Sequence, residues 1–173
     1  MMGLISIAAI PRRVENSCHG CIRVSGERWI SEFATSRISL IPVIKVNRQV
    51  NDRWGHECGD CMLAQFAQQV RQLVGEEGMV ARIGGEEFAV AALTSSARDG
   101  VLLAEKIRQG IESQTFTWGQ NRIQLTISMG LESRAPGSAR ITDLFNQLLM
   151  VADDSMIRAK KAGRNRIFTQ EMV

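Results

Sequence analysis

Gly84-Gly85-Glu86-Glu87 puts two glycines and two carboxylates in consecutive positions between the apolar segments Met79–Ile83 and Phe88–Leu93. Glycines at a tight turn let backbone N–H groups approach an anion closely, and carboxylates directly after them can hold a divalent cation or take up a proton. The same string also serves as a plain structural turn, so alone it supports both readings. A second concentration of chemistry lies near the C-terminus. Arg158, Lys160, Lys161, Arg164 and Arg166 fall within nine residues that hold no acid. The rest of the chain is slightly acidic, which fits one compact anion site better than a basic surface. Two C-x-x-C units, Cys18-His19-Gly20-Cys21 and Cys58-Gly59-Asp60-Cys61, carry all four cysteines. Such units bind zinc in many proteins, but the 36 residues between these two exceed zinc-ribbon spacing. Zinc is therefore not expected, and reduced thiols in a cytosolic compartment are the default.

The elements that must position these groups follow from apolar periodicity. Ile38–Ile44 is a short apolar run that reads as a buried strand, in which Pro42 favours a bulge or a sheet edge. Asn51–His56 reads as a polar, glycine-bearing loop. Met62, Leu63, Phe66, Val70, Leu73 and Val74 recur at helical spacing, predicting an amphipathic helix from about Cys58 to Val74. Met79–Ile83 and Phe88–Leu93 are two strands of a hairpin. A second helix spans about Arg98–Ser113, burying Leu103, Ala104, Ile107 and Ile111 while Glu105, Lys106 and Glu112 face water. Ile123, Leu125, Ile127 and Met129 alternate with polar residues and predict one strand with a wet face. A third helix runs from Ile141 to about Ala162, packing Leu144, Leu148, Val151, Ala152 and Ala159. Met62, Met79, Met129 and Met156 read as core filler. The order predicts one α+β layered domain without repeats.

The chain has 173 residues, 45% of them hydrophobic and 23% charged, enough for one sizeable core and too apolar for a disordered or fibrous chain. Its net charge of +3 is too mild to imply nucleic acid, and stacking aromatics do not accompany the basic cluster. No run approaches the roughly 18 apolar residues of a membrane span. Gly3–Ile10 is too short for one and has no positive residue before it, as a signal peptide would; with Arg12 and Arg13 following, it reads as the end of something longer. Residues 1–35 form a weakly specified entry segment, broken by Pro11, Ser17, Gly20, Ser25 and Gly26, and residues 170–173 are a tail.

Three motifs occur together: Asn51-Asp52-Arg53-Trp54-Gly55-His56-Glu57-Cys58-Gly59-Asp60, then Arg82-Ile83-Gly84-Gly85-Glu86-Glu87-Phe88, then Ala159-Lys160-Lys161-Ala162-Gly163-Arg164-Asn165-Arg166. In order and spacing they resemble the GGDEF domain family of diguanylate cyclases, over residues 36–169. The resemblance implies a five-stranded, mostly antiparallel sheet flanked by helices, related to polymerase palm and nucleotidyl cyclase domains. It implies condensation of two GTP molecules, one on each subunit of a homodimer with facing GGEEF sites, to cyclic di-GMP and two pyrophosphates. It places Glu86 and Glu87 in the catalytic and metal-binding role, with Mg2+ also held by the Ile44 backbone carbonyl. Gly84, Gly85, Lys160 and Arg164 fall at triphosphate positions, and Asn51 and Asp60 at the positions that read guanine. A carboxylate and an amide suit the guanine edge, because adenine would leave the carboxylate unpaired at a cost of about 1–3 kcal/mol. A helix first-turn acid for Asp60, a loop cap for Asn51 and a solvated helix end for Lys160 and Arg164 are the purely structural alternatives. His56 falls at no catalytic position of the family.

Departures from the family pattern are equally specific. Family members end the first strand in Asp-x-Asp-x-Phe-Lys, whose first Asp is a metal ligand; Val43 stands there, with Lys45 and Asn47 at the second Asp and the Phe. Valine cannot coordinate a cation, so Mg2+ is expected to be weakly held or absent. Lys45 is a candidate nucleotide contact, its ammonium replacing part of the lost positive charge; extension into solvent at the strand's end is the purely structural alternative. The opening Leu-Thr-Gly-Leu-x-Asn-Arg segment is replaced by Cys21–Glu27, and the inhibitory Arg-x-x-Asp by Gly75-Glu76-Glu77-Gly78. The reading is a GTP-binding regulatory or interaction domain of cyclic di-GMP signalling with weak or no cyclase activity; the alternative is an active diguanylate cyclase. A cytoplasmic location is expected, as the C-terminal part of a membrane-anchored protein with an upstream sensor.

Overall fold

The apolar run near the start of the recognisable region forms β1 (Arg37–Val43), and its two neighbours build a sheet outward from it. The computed structural model describes residues 37–43, 48–76, 78–135 and 141–170. After β1 come α1 (Arg48–Val74), β2 (Gly78–Arg82), β3 (Phe88–Thr94), α2 (Ala97–Ser113), β4 (Thr115–Trp118), β5 (Asn121–Gln124), β6 (Met129–Arg134), α3 (Ile141–Lys161) and β7 (Ile167–Thr169). Among the described residues the main sheet has five strands in the order β2-β3-β1-β6-β7, and β4 and β5 form a separate hairpin. Only the β6–β7 pairing is parallel.

Alternation along the strands decides which helix covers which face. Phe88 and Val90 of β3 and Met129 and Leu131 of β6 are buried in one cluster with Met62, Phe66 and Val70 of α1 and Ile107 and Ile111 of α2. Phe66 and Phe88 meet with ring centroids 5.1 Å apart at a tilted 57°, the geometry aromatic quadrupoles favour. Gly130, between Met129 and Leu131, faces the other way. A Cβ built there would lie 1.7 Å from the Ala152 carbonyl oxygen of α3. Thus α1 and α2 cover one face, and α3 lies close against the opposite face through buried Leu148, Ala152, Met156 and Ala159. Ser96 caps α2, its Oγ accepting from the Asp99 amide at 3.2 Å.

Several local expectations need correction. Asn51–His56 is not a loop. It is helical up to Trp54, and the interruption is confined to Gly55, whose φ of 83° and ψ of 170° kink α1. Glycine alone takes that conformation at no steric cost, so one residue redirects the helix without unwinding its neighbours. Pro42 lies neither at an edge nor at a bulge. It sits in the central strand opposite Ala89, in an unbroken register with β3. On the β6 side pairing is recorded at Leu40↔Glu132 and Val43↔Met129 but not between them. The gap falls where proline has no N–H to give. The single strand expected over Ile123–Met129 is two, β5 and β6, joined by 125–128. Ile123, Leu125 and Ile127 are buried and Gln124 and Thr126 exposed, as alternation predicts. Ser128, expected on the same wet face, is instead buried under the basic loop, where its Oγ accepts from the Asn165 amide. The pattern reports burial along an extended segment, while ladder pairing is lost as the chain crosses to the main sheet.

The entry segment 1–35, the Cys18–Cys21 unit, and Ile44, Lys45 and Asn47 lie outside the described residues.

Candidate functional site

Strand register sets two of the three motifs, the turn and the basic loop, at one end of the main sheet. Phe88 pairs with Val43, Val43 with Met129, and Met129 with Ile167. The Gly84–Glu87 turn immediately precedes Phe88, and the Gly163–Arg166 loop immediately precedes Ile167. Three strand spacings, about 14–15 Å, separate the outer members of this row. Residues far apart in sequence therefore border a common edge, with the end of β1 between them.

The turn itself is closed by two backbone bonds, from Ile83 N to Glu87 O at 2.8 Å and from Gly84 N to Glu87 O at 3.2 Å. Arg82 holds its tip. Its Nε donates to the carbonyls of Gly84 at 3.2 Å and Gly85 at 3.1 Å, and its Nη2 also donates to Gly85. Because a trans peptide points C=O and N–H in opposite directions, the amides of Gly85 and Glu86 are turned away from that guanidinium. A Cβ on Gly85 would meet nothing within 4 Å, so the tip is open to an approaching group. Glu87 instead folds back over the turn, its Oε2 being 2.9 Å from where a Gly84 Cβ would stand. The two half-buried carboxylates thus occupy different surroundings. Arg82 belongs to the motif, but nothing in its residue type assigns it this task; its adjacency to a glycine-rich turn is the only signal in the sequence.

Asn51 and Asp60 lie nine residues apart, about 13.5 Å along a straight helix, and the Gly55 kink interrupts that path. Here the Asn51 amide reaches Gly59, where a Cβ would stand 1.7 Å from Asn51 Oδ1 and 2.8 Å from its Cγ. Asp60, next in the chain, is exposed. Cys58 and Cys61 flank this pair, and both are free thiols. Burial pushes the Cys58 thiol up, with the nearby Cys61 adding to the effect. Cys61 accepts a hydrogen bond from Gln65 Nε2 at 3.1 Å.

At the end of α3, Gly163 takes φ 110°, Arg164 φ 61° and Asn165 φ 48°. The Arg164 amide donates to Ala159 O at 3.0 Å and the Gly163 amide to Lys160 O at 3.5 Å, which together form a Schellman cap. Left-handed φ costs a long side chain such as Arg164 roughly 1–2 kcal/mol and asparagine less, so Arg164 above all needs a backbone held from outside the loop. The hold comes through Asn165, from Ser128, whose Oγ accepts from the Asn165 amide at 3.2 Å, and from α2. There Arg108 Nη1 donates to Asn165 Oδ1 at 3.1 Å, and Asn165 Nδ2 donates to Glu112 Oε1 at 2.7 Å. Hydrogen bonding by Arg108 holds the Glu105 carboxyl below its ordinary range, and the same cause, followed by the Asn165 bond, lowers Glu112. Arg108 is pushed up in turn, chiefly by Glu105. Lys160 is half-buried and the Arg164 side chain exposed.

Among the described residues, no group of three or more acidic, histidine or cysteine side chains is placed to hold a metal ion. Glu86 and Glu87 remain the carboxylate donors at the turn, and Val43, which has no donor atom, is in register with Phe88 beside them. A groove of about 600 Å³ opens elsewhere, between the start of α1 and the β4–β5 hairpin, lined by Val50, Arg53, Trp54, Arg122 and Gln124 among others. Arg53 stacks on Trp54 there, 4.5 Å from the ring centroid. No residue assigned from sequence lines it.

Comparison with known proteins bears on this arrangement. The family described as diguanylate cyclase, GGDEF domain, matches residues 38–166. The chain is 49% identical over 122 residues to the probable diguanylate cyclase DgcF of Escherichia coli K12, covering 70% of this chain and 39% of that protein. It is 33% identical over 131 residues to the response regulator PleD of Caulobacter vibrioides, covering 75% and 28%. The chain thus spans well under half of these relatives. Among solved structures, the GGDEF domain of DgcB from Caulobacter crescentus, in complex with c-di-GMP, superposes with TM-score 0.72 at 24% identity, covering 92% of this chain and 98% of that one. That likeness speaks for the fold alone. The active GGEEF domain of a diguanylate cyclase from Vibrio cholerae superposes with TM-score 0.65 at 26% identity, covering 83% and 86%.

Proposed function

The chain belongs to the GGDEF domain family of diguanylate cyclases, and on that premise we propose that it is a GTP-binding regulatory or interaction domain of cyclic di-GMP signalling with weak or no cyclase activity. The observation that carries the second half is Val43. It ends β1 in register with Phe88, directly after the Gly-Gly-Glu-Glu turn, where the family pattern calls for a metal-binding aspartate. Magnesium at such a site offsets charge on the attacked phosphate. Here Glu86, with the Ile44 carbonyl, would have to hold it without that partner, and the loss is worth orders of magnitude in rate.

Binding does not depend on the same residue. Asn51 and Asp60 read the guanine edge, a reading supported by the approach of Asn51 to Gly59, the residue before Asp60. Gly84 and Gly85 offer backbone amides to the triphosphate, and Lys160 and Arg164 supply cationic contacts from the basic loop. Lys45 adds a further ammonium near the end of β1, replacing some of the charge the metal would bring. An interaction that stabilises the bound triphosphate equally before and during reaction raises affinity without raising turnover. The domain comprises residues 36–169, pairs with a second copy through facing turns when it pairs at all, and takes its input from an upstream sensor or protein partner. No helix among the described residues is long and apolar enough to cross a membrane, and the domain is assigned to the cytoplasmic side.

Two observations favour the active-cyclase alternative: the Gly-Gly-Glu-Glu-Phe turn is intact, and a relative 49% identical is described as a probable diguanylate cyclase. Isothermal titration with GTP, with and without Mg2+, separates the two when paired with product analysis. Binding that persists in a chelator, with no cyclic di-GMP formed, supports the regulatory reading. Binding that requires Mg2+, with turnover, supports the alternative.

A further inference from the structure

Strain in the basic loop is concentrated at two residues, and one of them is a candidate phosphate contact. Arg164 and Asn165 are the described non-glycine residues with positive φ. Backbone held in a sparsely populated region persists only where its surroundings over-determine it, and such positions cluster at ligand clamps. The surroundings here are specific. Asn165 is gripped by the Ser128 hydroxyl through its amide, by Glu112 through its side-chain nitrogen, and by Arg108 through its side-chain oxygen. Arg108 is fixed in turn along α2 by Glu105 at 2.7 Å and Glu112 at 2.8 Å, with only 14% of its side chain exposed. On the other side, Arg166 Nε donates to the Arg164 carbonyl at 3.0 Å, and Arg166 O accepts from the Met129 amide at 2.9 Å. Arg164 therefore has a backbone anchored on both sides and an exposed side chain.

Resting on the nucleotide reading above, we propose that Arg108 and Glu112 are positioning residues for the triphosphate: through Asn165 they hold the left-handed backbone from which Arg164 reaches the phosphates. They touch no nucleotide themselves. Their effect is to order Arg164 before binding, so that less freedom is lost when the contact forms. The bonds are charge-assisted and converge on a largely shielded guanidinium, while both glutamates face solvent. Arg108 serves it better than lysine would, because a planar fork engages two glutamates and an amide oxygen at fixed angles.

A structural staple and a positioning device differ in what they discriminate. The full chain and its Arg108→Met and Asn165→Gly variants are titrated with GTP and with guanosine, which lacks phosphates. Asn165→Gly cuts the latch while relieving the left-handed strain, so it retains the fold if Arg108→Met does not. Both variants are expected to lose about tenfold in GTP affinity with guanosine affinity unchanged, and Arg164→Ala is expected to cost nothing further in either background. Equal losses for GTP and guanosine, or a full additional loss from Arg164→Ala, would overturn the proposal. Amide hydrogen exchange in the nucleotide-free chain reads the latch independently. Arg164 and Asn165 should exchange at least tenfold faster in Arg108→Met while the middle of α3 is unchanged, and unchanged exchange at both would also overturn it. Absence of GTP binding by the unmodified chain, with the exchange difference present, marks failure of the nucleotide reading and takes the triphosphate role with it.

Discussion

The side-chain amide of Asn51 lies directly on the backbone of Gly59, so close that a Cβ on Gly59 would stand 1.7 Å from Asn51 Oδ1. The kink at Gly55 creates this contact, and the contact sets Asn51 beside the segment that carries Asp60. Gly59→Ala should therefore push the amide aside while leaving the helix intact, since alanine is the better helix former by about 1 kcal/mol. The expected outcome is a GTP-to-ATP affinity ratio moved towards one with little change in Tm. An unchanged ratio, measured by titration with both nucleotides, would remove Asn51 from base recognition.

Asp60→Ala addresses the other half of the pair. The carboxylate is exposed in the free chain, and a hydrogen bond to a charged group is worth about 1.5–3 kcal/mol, so the substitution is expected to cost GTP affinity about tenfold or more. Circular dichroism should be unaltered, because Asp60 packs into no core. Equal affinity of the unmodified chain for GTP and ATP would contradict the assignment.

How much of this was legible in the sequence depends on distance along the chain. The spacing of Ala104, Ile107 and Ile111 marks α2 because a helix repeats locally, and all three are fully buried. Phe88–Leu93 was legible as a strand for the same reason, with a glycine-rich turn announcing its partner. The Gly55 kink was visible only as a glycine; that it redirects the helix instead of ending it depends on tertiary packing of both halves. β7 is three residues long and forms by parallel pairing with β6, a contact no local pattern encodes. The bond between Arg108 and Asn165 spans 57 positions, and charged residues on a helix face ordinarily signal only solvent. Of the site, the residues at the turn and in the basic loop were readable as motifs; Arg82 and Arg108, which hold them, were not.

Acid should weaken the α2 latch. Arg108 holds the carboxyls of Glu105 and Glu112 below their ordinary value of 4.5. A folded-state pKa below the unfolded one gives stability that is present above the unfolded value and lost as pH falls through the folded value. Thermal unfolding followed downward from pH 6 should thus show Tm falling below about pH 4.5, and Arg108→Met should flatten that part of the decline. Parallel curves for the two proteins would show that the pairs contribute nothing in the folded state.

Gly130→Ala tests the approach of α3 to the sheet. A Cβ at this position would meet the Ala152 carbonyl oxygen at 1.7 Å and the Met156 amide nitrogen at 2.6 Å. Neither is a flexible side-chain end, so the helix itself must shift. Overpacking of this kind costs about 1–3 kcal/mol or more, and denaturant unfolding should report a loss in that range. A variant as stable as the parent would mean that α3 is not seated against β6 as described.

Val43 is the residue on which loss of turnover depends, and chromatography of the products formed by the purified chain from GTP and Mg2+ measures that loss directly. Little or no cyclic di-GMP is predicted, under conditions in which titration shows GTP bound, with activity raised by Val43→Asp only when Lys45 is also replaced, since its ammonium would pair with the new carboxylate. Turnover by the unmodified chain comparable to that of family members carrying the aspartate would contradict the account and establish the domain as a working diguanylate cyclase.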